Sequence, residues 1–578
     1  MAQIQTATWA HQNNTMLRRS FLVKQMKVFK SFALTLLFSA SLIFTITSNT
    51  LLATSATTYV NSNSPLGINL NAVVDWTTQW PFVDAFKISR PWISQRQNSS
   101  WGQGGTLKLT ADGWIASLEP GQFAETVMFT DTKGRYPGGQ YVLLYDGAGT
   151  INFNFSSGKI VSQTPGRMLV DVVPQNPGIW LQILATDPAN PIRNIRLIMP
   201  GFEKTYQTQP FHPLFLERLS KFKTIRFMDW MATNNSIITN WSDRPRTELA
   251  TQASAIGVSL THIVDLANTL HADPWFTMPH QATDDYVRQF ATTVRDRLDP
   301  SLKPHIEYSN EVWNSIFSQT SYAQQKGLAL GLDPTAFSAG LRYYAQRSVE
   351  IFKIWEQVFG GKSRLVRILA SQGAVPWVGE QVLTWKEAYK NADAYAIAPY
   401  YDGDNLSDPA NVDKLLQMSE DQVIDNILTE IPTDLKQGIT NNYTLATKYG
   451  LKLFAYEGGG HLESSRMPAD KEARVTALFH AVNRNPRMRK VYLDYLSMWK
   501  SSGGQLFNQF YDVGRYDKYG SWGALEYQNQ DPSTAPKYLG LMDFIAQNQT
   551  VAVNPSWLRQ VSALISNSLQ RGQGSGRG

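Results

Sequence analysis

The chain has no cysteine. That absence excludes thiol nucleophiles, Cys-ligated zinc, iron–sulfur clusters, structural disulfides and a lipid-modified N-terminal Cys. Histidine is scarce, 8 in 578 residues, and no His-Glu-x-x-His pair occurs among them. His262, His271 and His280 recur every nine residues, a spacing that does not gather them on one helix face. Neither a metal nor a cofactor is therefore expected. A Gly-x-Ser-x-Gly nucleophile elbow is also missing. Gly361-Lys362-Ser363 is not a phosphate loop, because Glu356 stands where the first glycine is needed. There is no solenoid-type repeat.

Acidic residues are missing from positions 1 to 74, where Arg18, Arg19, Lys24, Lys27 and Lys30 precede the apolar run Ser31 to Ile46. A basic stretch, an apolar segment and small residues ending near Ala53 to Ala56 follow the order of an export signal. The apolar stretch Leu51 to Ala53 would lengthen the run to about 20 residues, so an uncleaved N-terminal membrane anchor is the alternative. The formal charge is +6, yet removing those five residues leaves 48 basic against 47 acidic, and Arg571 and Arg577 of the tail take the balance to −1. A near-neutral body removes the case for a nucleic-acid partner. The expected location is secreted or cell envelope, with membrane contact only through the N-terminal segment if it is retained.

What is present is a large apolar and aromatic complement, 43% hydrophobic with 17 Trp, which suits a big globular core. Thr106 to Leu109, Trp114 to Leu118, Glu125 to Phe129, Tyr141 to Tyr145, Ile151 to Phe155, Met168 to Val173, Ile179 to Ala185 and Ile195 to Met199 alternate with turn dipeptides such as Asp112-Gly113 and Gly138-Gly139. This rhythm predicts an antiparallel β-sandwich of jelly-roll type. Elsewhere short apolar strands alternate with long helical patterns. The strands are Leu66 to Val73, Thr224 to Asp229, Pro274 to Pro279, His305 to Tyr308, Arg364 to Leu369, Ala394 to Ala398, Leu451 to Ala455 and Leu506 to Tyr511. Helices are expected at Asp284 to Leu298, Gly340 to Phe359, Ala469 to Ala481 and Lys537 to Gln547.

The expected fold is α/β, an eight-stranded βα (TIM) barrel whose first βα connection carries the sandwich. The expected division is 1–56 export signal or anchor, 57–95 and 204–548 barrel, 96–203 inserted sandwich, and 549–578 a C-terminal helix and loose tail.

In such a barrel the chemistry sits at the C-terminal strand ends. There the chain places Asp75 and Trp76; Arg226, Asp229 and Trp230; Trp275 and His280; Asn310-Glu311-Val312-Trp313-Asn314; Tyr400 and Tyr401; Tyr456-Glu457-Gly458-Gly459-Gly460-His461; and Trp522-Gly523. Strands four and seven face each other across a barrel mouth, so Glu311 and Glu457 form the paired carboxylates that glycosidic cleavage requires. Arg226 and Tyr400 are expected to keep a neighbouring carboxylate ionised. Trp230, Trp275, Trp313 and Trp522 are expected to offer flat faces to sugar rings, and the three glycines to let substrate approach the backbone. In the sandwich, Trp101, Trp114 and Trp180 are candidates for a glycan-binding surface.

These strand ends resemble clan A of the glycoside hydrolases, barrel enzymes whose signature is an Asn-Glu pair ending the fourth strand and a Glu ending the seventh. The resemblance spans Leu66 to Lys87 and Phe211 to Gln547 as short motifs, and it assigns the clan without a family inside it. It implies that Asn310 bonds the substrate 2-hydroxyl, Glu311 is acid/base and Glu457 the nucleophile, with Arg226, His280, Tyr400 and Trp522 in supporting places. Where many members have Pro after Asn-Glu, this chain has Val312-Trp313-Asn314, which leaves the substrate open. The expected function is an exported retaining glycoside hydrolase of a polysaccharide or oligosaccharide. The alternatives are a non-catalytic glycan-binding protein of the cell envelope and a structural envelope protein.

Overall fold

The computed structural model describes residues 61 to 549 apart from 62 and 156. They belong to one compact unit, Tyr59–Gly578; a second unit, Met1–Thr58, lies outside the described residues, as do the expected export signal and nearly all of the C-terminal segment. Among the described residues no helix is long and apolar enough to cross a membrane.

Eight parallel strands close a barrel: β1 Leu66–Asn69, β2 Thr224–Arg226, β3 Asp273–Met278, β4 His305–Tyr308, β5 Val366–Ala370, β6 Ala394–Ile397, β7 Lys452–Ala455 and β8 Phe507–Gln509. Closure is direct: β1 pairs with β2 through Asn69 and Arg226, and with β8 through Ile68 and Gln509. In β2 the run ends at Arg226, not at the expected Asp229, because the Phe227 carbonyl already accepts from Met231 N–H and the Asp229 carbonyl from Ala232 N–H as the chain turns. Trp275, Ile368, Ala370, Ala394, Ala396, Phe454 and Tyr456 fill part of the barrel interior.

The outer helices follow ordinary signals. Asp284–Arg297 starts at Thr283, whose side chain caps Tyr286 N–H, with Asp284 and Asp285 in the first turn and Arg295 and Arg297 in the last. Its Tyr286, Val287, Phe290, Ala291 and Val294 form the buried stripe, each large one contributing ~1.5–3 kcal/mol.

Between β1 and β2 lie two four-stranded antiparallel sheets. One has the order Ile93–Arg96, Gln122–Met128, Ile179–Thr186, Gly149–Asn154; the other Arg193–Ile198, Gly139–Asp146, Arg167–Val172, Gly158–Thr164. The chain leaves and returns side by side, with Leu197 N–H bonding Asp84 Oδ1 at 2.9 Å and Met199 N–H bonding the Val83 carbonyl at 2.9 Å. Ile93–Arg96 joins the first sheet, so the antiparallel structure begins ahead of residue 96. Trp114 is buried and stacks on Phe86 at 5.9 Å, which removes it from any glycan-facing surface.

Candidate active site

One fully buried guanidinium organises the barrel interior. Arg226, the last residue of β2, donates through Nε (3.2 Å) and Nη2 (2.9 Å) to Glu307 Oε2, and through Nη1 to Glu457 Oε2 (2.9 Å) and Asn69 Oδ1 (3.1 Å). Nη2 also reaches Asn310 Oδ1 at 2.8 Å. Trp275 Nε1 donates to the same Glu307 oxygen at 2.8 Å. Burial opposes the Arg226 charge, but Glu307 and Glu457 outweigh it and raise its pKa. Losing one member of such a buried set strands the others' charge, at about 3–5 kcal/mol.

Glu457 follows β7. Its Oε2 takes the Arg226 bond and its Oε1 accepts from the Tyr400 hydroxyl at 3.0 Å. Glu311 follows β4 by three residues, in a left-handed backbone (φ 44°), with Ser309 left-handed too (φ 58°). Two such non-glycine residues flanking Asn310 store strain where a side chain is being aimed. Glu311 Oε1 accepts from the Tyr456 hydroxyl at 3.0 Å, and Oε2 from Asn314 Nδ2 at 2.8 Å. Tyr456 immediately precedes Glu457, so β7 holds both carboxyls, one directly and one by a neighbour's hydroxyl.

The electrostatics separate the pair. Burial first, and the Glu457 charge second, push Glu311 up to about 7; Asn314 and Tyr456 pull it back, and Arg226 acts on it only through its field. Burial raises Glu457 as well, but Arg226 and the Tyr400 hydroxyl draw it back toward ionisation. Both carboxyls are raised by burial, and the Arg226 bond favours placing the charge on Glu457 and the pair's proton on Glu311. Asp229, beyond β2, is pushed to about 6 by burial, with the Tyr511 hydroxyl bond lowering it and the Glu457 charge raising it.

Around this pair the structure gathers Arg226, Asn310, Tyr400 and Trp522. Asn310 is held from both ends, its Nδ2 donating to Asn234 Oδ1 at 3.1 Å. Trp522 is half-buried, edge-on to Tyr400 at 5.7 Å and close to His461 at 5.2 Å. Trp313 is half-buried next to Val312. His280 packs on Tyr322 at 5.2 Å, is lowered to about 4 by burial, and bonds Gln281, with neither carboxyl among its partners.

Three expectations are corrected. Trp230 is fully buried between Phe215, Phe82 and Phe227. Trp275 is fully buried, stacked on His305 at 5.4 Å and committed to Glu307. Neither ring has a face to give a sugar. The glycines after Glu457 make room for the protein itself: a Cβ on Gly458 would meet Phe507 at 2.7 Å, and one on Gly460 would meet Tyr401 at 3.0 Å.

The sequence pattern gave no part to Glu307 or Asn69, and no role to Asn314 or Tyr456. A signal for Glu307 existed, since an acid inside the four-residue strand His305–Tyr308 must be buried and needs a cation.

No family model and no curated protein matches the chain. Among solved structures it is similar to native xylanase 10B from Thermotoga maritima, at 11% identity and TM-score 0.33, over 57% of this chain and 89% of that one. It is also similar to the Clostridium thermocellum xylanase 10B modules CBM22-1 and GH10, at 10% identity and TM-score 0.34, over 82% and 98%. A third is a Fusarium oxysporum 4-O-α-L-rhamnosyl-β-D-glucuronidase, at 13% identity and TM-score 0.37, over 60% and 67%. The xylanases belong to the glycoside hydrolase clan that the strand ends resemble. Likenesses this distant carry no weight on activity, and the closed barrel stands on its own strand pairing.

Proposed function

We propose that the chain is an exported retaining glycoside hydrolase acting on a polysaccharide or oligosaccharide, its two antiparallel sheets forming an inserted sandwich. The observation that carries the proposal is the contrast in partners: Glu457 is held by a guanidinium and a tyrosine hydroxyl, Glu311 by a hydroxyl and an amide alone. The Glu457 carboxylate attacks the anomeric carbon as the C–O bond to the leaving group breaks, and the Glu311 proton passes to the leaving oxygen. Glu311, now ionised, takes a proton from water, whose oxygen displaces Glu457 and releases the sugar with its configuration kept. Asn310 and Tyr400 bracket the site of attack, and the partly open Trp522 offers a face to the sugar.

The test is release of reducing ends from β-glucans, mannans, xylans and galactans by wild type, Glu311→Gln and Glu457→Gln. Hydrolysis by wild type that both changes abolish supports the enzyme, and proton NMR of the first-formed anomer reads retention. Glycan binding without turnover by wild type would establish the envelope binder instead.

A further inference from the structure

The first antiparallel sheet has two unlike faces. Ala124, Thr126, Met128, Ile179, Leu181, Ile183, Ile151 and Phe153 alternate onto one of them, all between 0% and 8% exposed. The other carries a polar row: Glu125 lies opposite Ile93 and Gln182, and Gln182 opposite Asn152. In the adjacent row, Trp180 lies between Val127 and Asn154. Cross-strand partners point the same way, so these side chains share one surface.

Glu125, 3% exposed, is the hub. Its Oε2 accepts from Gln95 Nε2 at 2.8 Å, and its Oε1 from Gln182 Nε2 at 2.6 Å and Asn154 Nδ2 at 3.1 Å. Asn152 Nδ2 extends the chain to Gln182 Oε1 at 3.3 Å, and Gly102 N–H closes it on Gln95 Oε1 at 2.9 Å. One buried carboxylate thus fixes three carboxamides in orientation; Gln95 and Gln182 are buried with it, while Asn154 and the exposed Asn152 bring amide groups to the surface. Aromatic rings border the row. Trp101, next to Gly102, is 60% exposed; Phe155 is 52% exposed and stands edge-on to Trp180 at 5.1 Å. The indole N–H of Trp180 is taken by the Pro177 carbonyl, which leaves the ring to act through its face.

We infer that this face is a second carbohydrate-binding site, one that takes a neutral polysaccharide chain. Oriented amides match sugar hydroxyls, which both donate and accept, and exposed indole and phenyl faces match the C–H faces of sugar rings. A hub whose single charge is already satisfied by amides favours an uncharged ligand. The hydrogen bonds of this row involve neither barrel carboxylate, and the inference does not rest on the proposed hydrolysis.

Affinity electrophoresis in gels containing soluble β-glucan, xylan, galactomannan or galactan tests it. A Glu311→Gln background keeps the polymer intact. At least one polymer is expected to retard the protein, and Trp180→Ala with Asn152→Ala to weaken that affinity by about tenfold. Trp101→Ala, a loop change that leaves the sheet alone, should weaken it as well, whereas Val173→Ser, at the exposed position just past the strand Arg167–Val172 of the other sheet, should not. No retardation by any polymer, or retardation that persists in folded Trp180→Ala/Asn152→Ala and Trp101→Ala proteins, overturns the inference. Failure of wild type to hydrolyse any glycan would count against the barrel mechanism and leave this site standing.

Discussion

Glu307 inside the barrel and Glu311 at its mouth lie four positions apart on one strand and its extension, and their carboxyls keep opposite company. Glu307 shares Arg226 with Glu457 and takes a Trp275 N–H as well. Glu311 is reached by a tyrosine hydroxyl and an asparagine amide only. A single buried cation serving two carboxylates leaves the third to keep its proton. The acid and the nucleophile of the proposed mechanism therefore differ by where one guanidinium can reach: burial raises both carboxyls, and Arg226 draws Glu457 back by charge and a hydrogen bond but Glu311 through its field alone.

The largest effect expected from breaking that contrast is on turnover. Glu457→Gln removes the proposed nucleophile and Glu311→Gln the proposed proton donor, each lowering kcat by about 10²–10⁴-fold or more on whichever glycan wild type cleaves, as measured by reducing-end release. Next is Arg226→Met, which strands Glu307 and Glu457. Denaturant unfolding should show a loss of about 3–5 kcal/mol, and the double change Arg226→Met/Glu307→Gln should recover part of it. If the double variant were no more stable than the single, the shared-cation account would fail.

A smaller effect follows from pH. The folded pKa of Glu311, about 7, lies above its ordinary 4.5. Its contribution to stability is therefore fully present below about 4.5 and is lost as pH rises through about 7. Glu311→Gln removes that loss, so thermal melts should find the variant no more stable than wild type at pH 4 and clearly more stable at pH 8, the gap opening between about pH 4.5 and 7. The smallest shift belongs to Tyr456→Phe. Its hydroxyl favours the ionised form of Glu311, so deleting it should move the alkaline limb of the kcat/KM profile upward by ~0.5–1 pH unit.

Much of the barrel was legible because its strands are apolar runs bounded by turns: His305–Tyr308 agrees in both limits with its expected range, and Asp284–Arg297 ends one residue short of it. Gly158–Thr164 was not, since Ile160 and Val161 are its only apolar residues and most of the strand is exposed. At the site, Glu311, Glu457, Arg226 and Tyr400 could be read from their places at strand ends. The bond from Tyr456 to Glu311 could not, because it joins positions 145 residues apart and depends on a left-handed turn that nothing in Ser309-Asn310-Glu311 announces. Trp230 and Trp275 misled for a physical reason: tryptophan suits a sugar platform and a barrel core equally, and only the neighbours decide.

The measurement that bears most directly on the contrast is a carboxyl-carbon NMR titration of Glu311 in wild type and in Glu457→Gln. The account predicts a midpoint near 7 in wild type, falling once the neighbouring charge is gone while burial keeps it above 4.5. A midpoint at the ordinary carboxyl value in both proteins would contradict it.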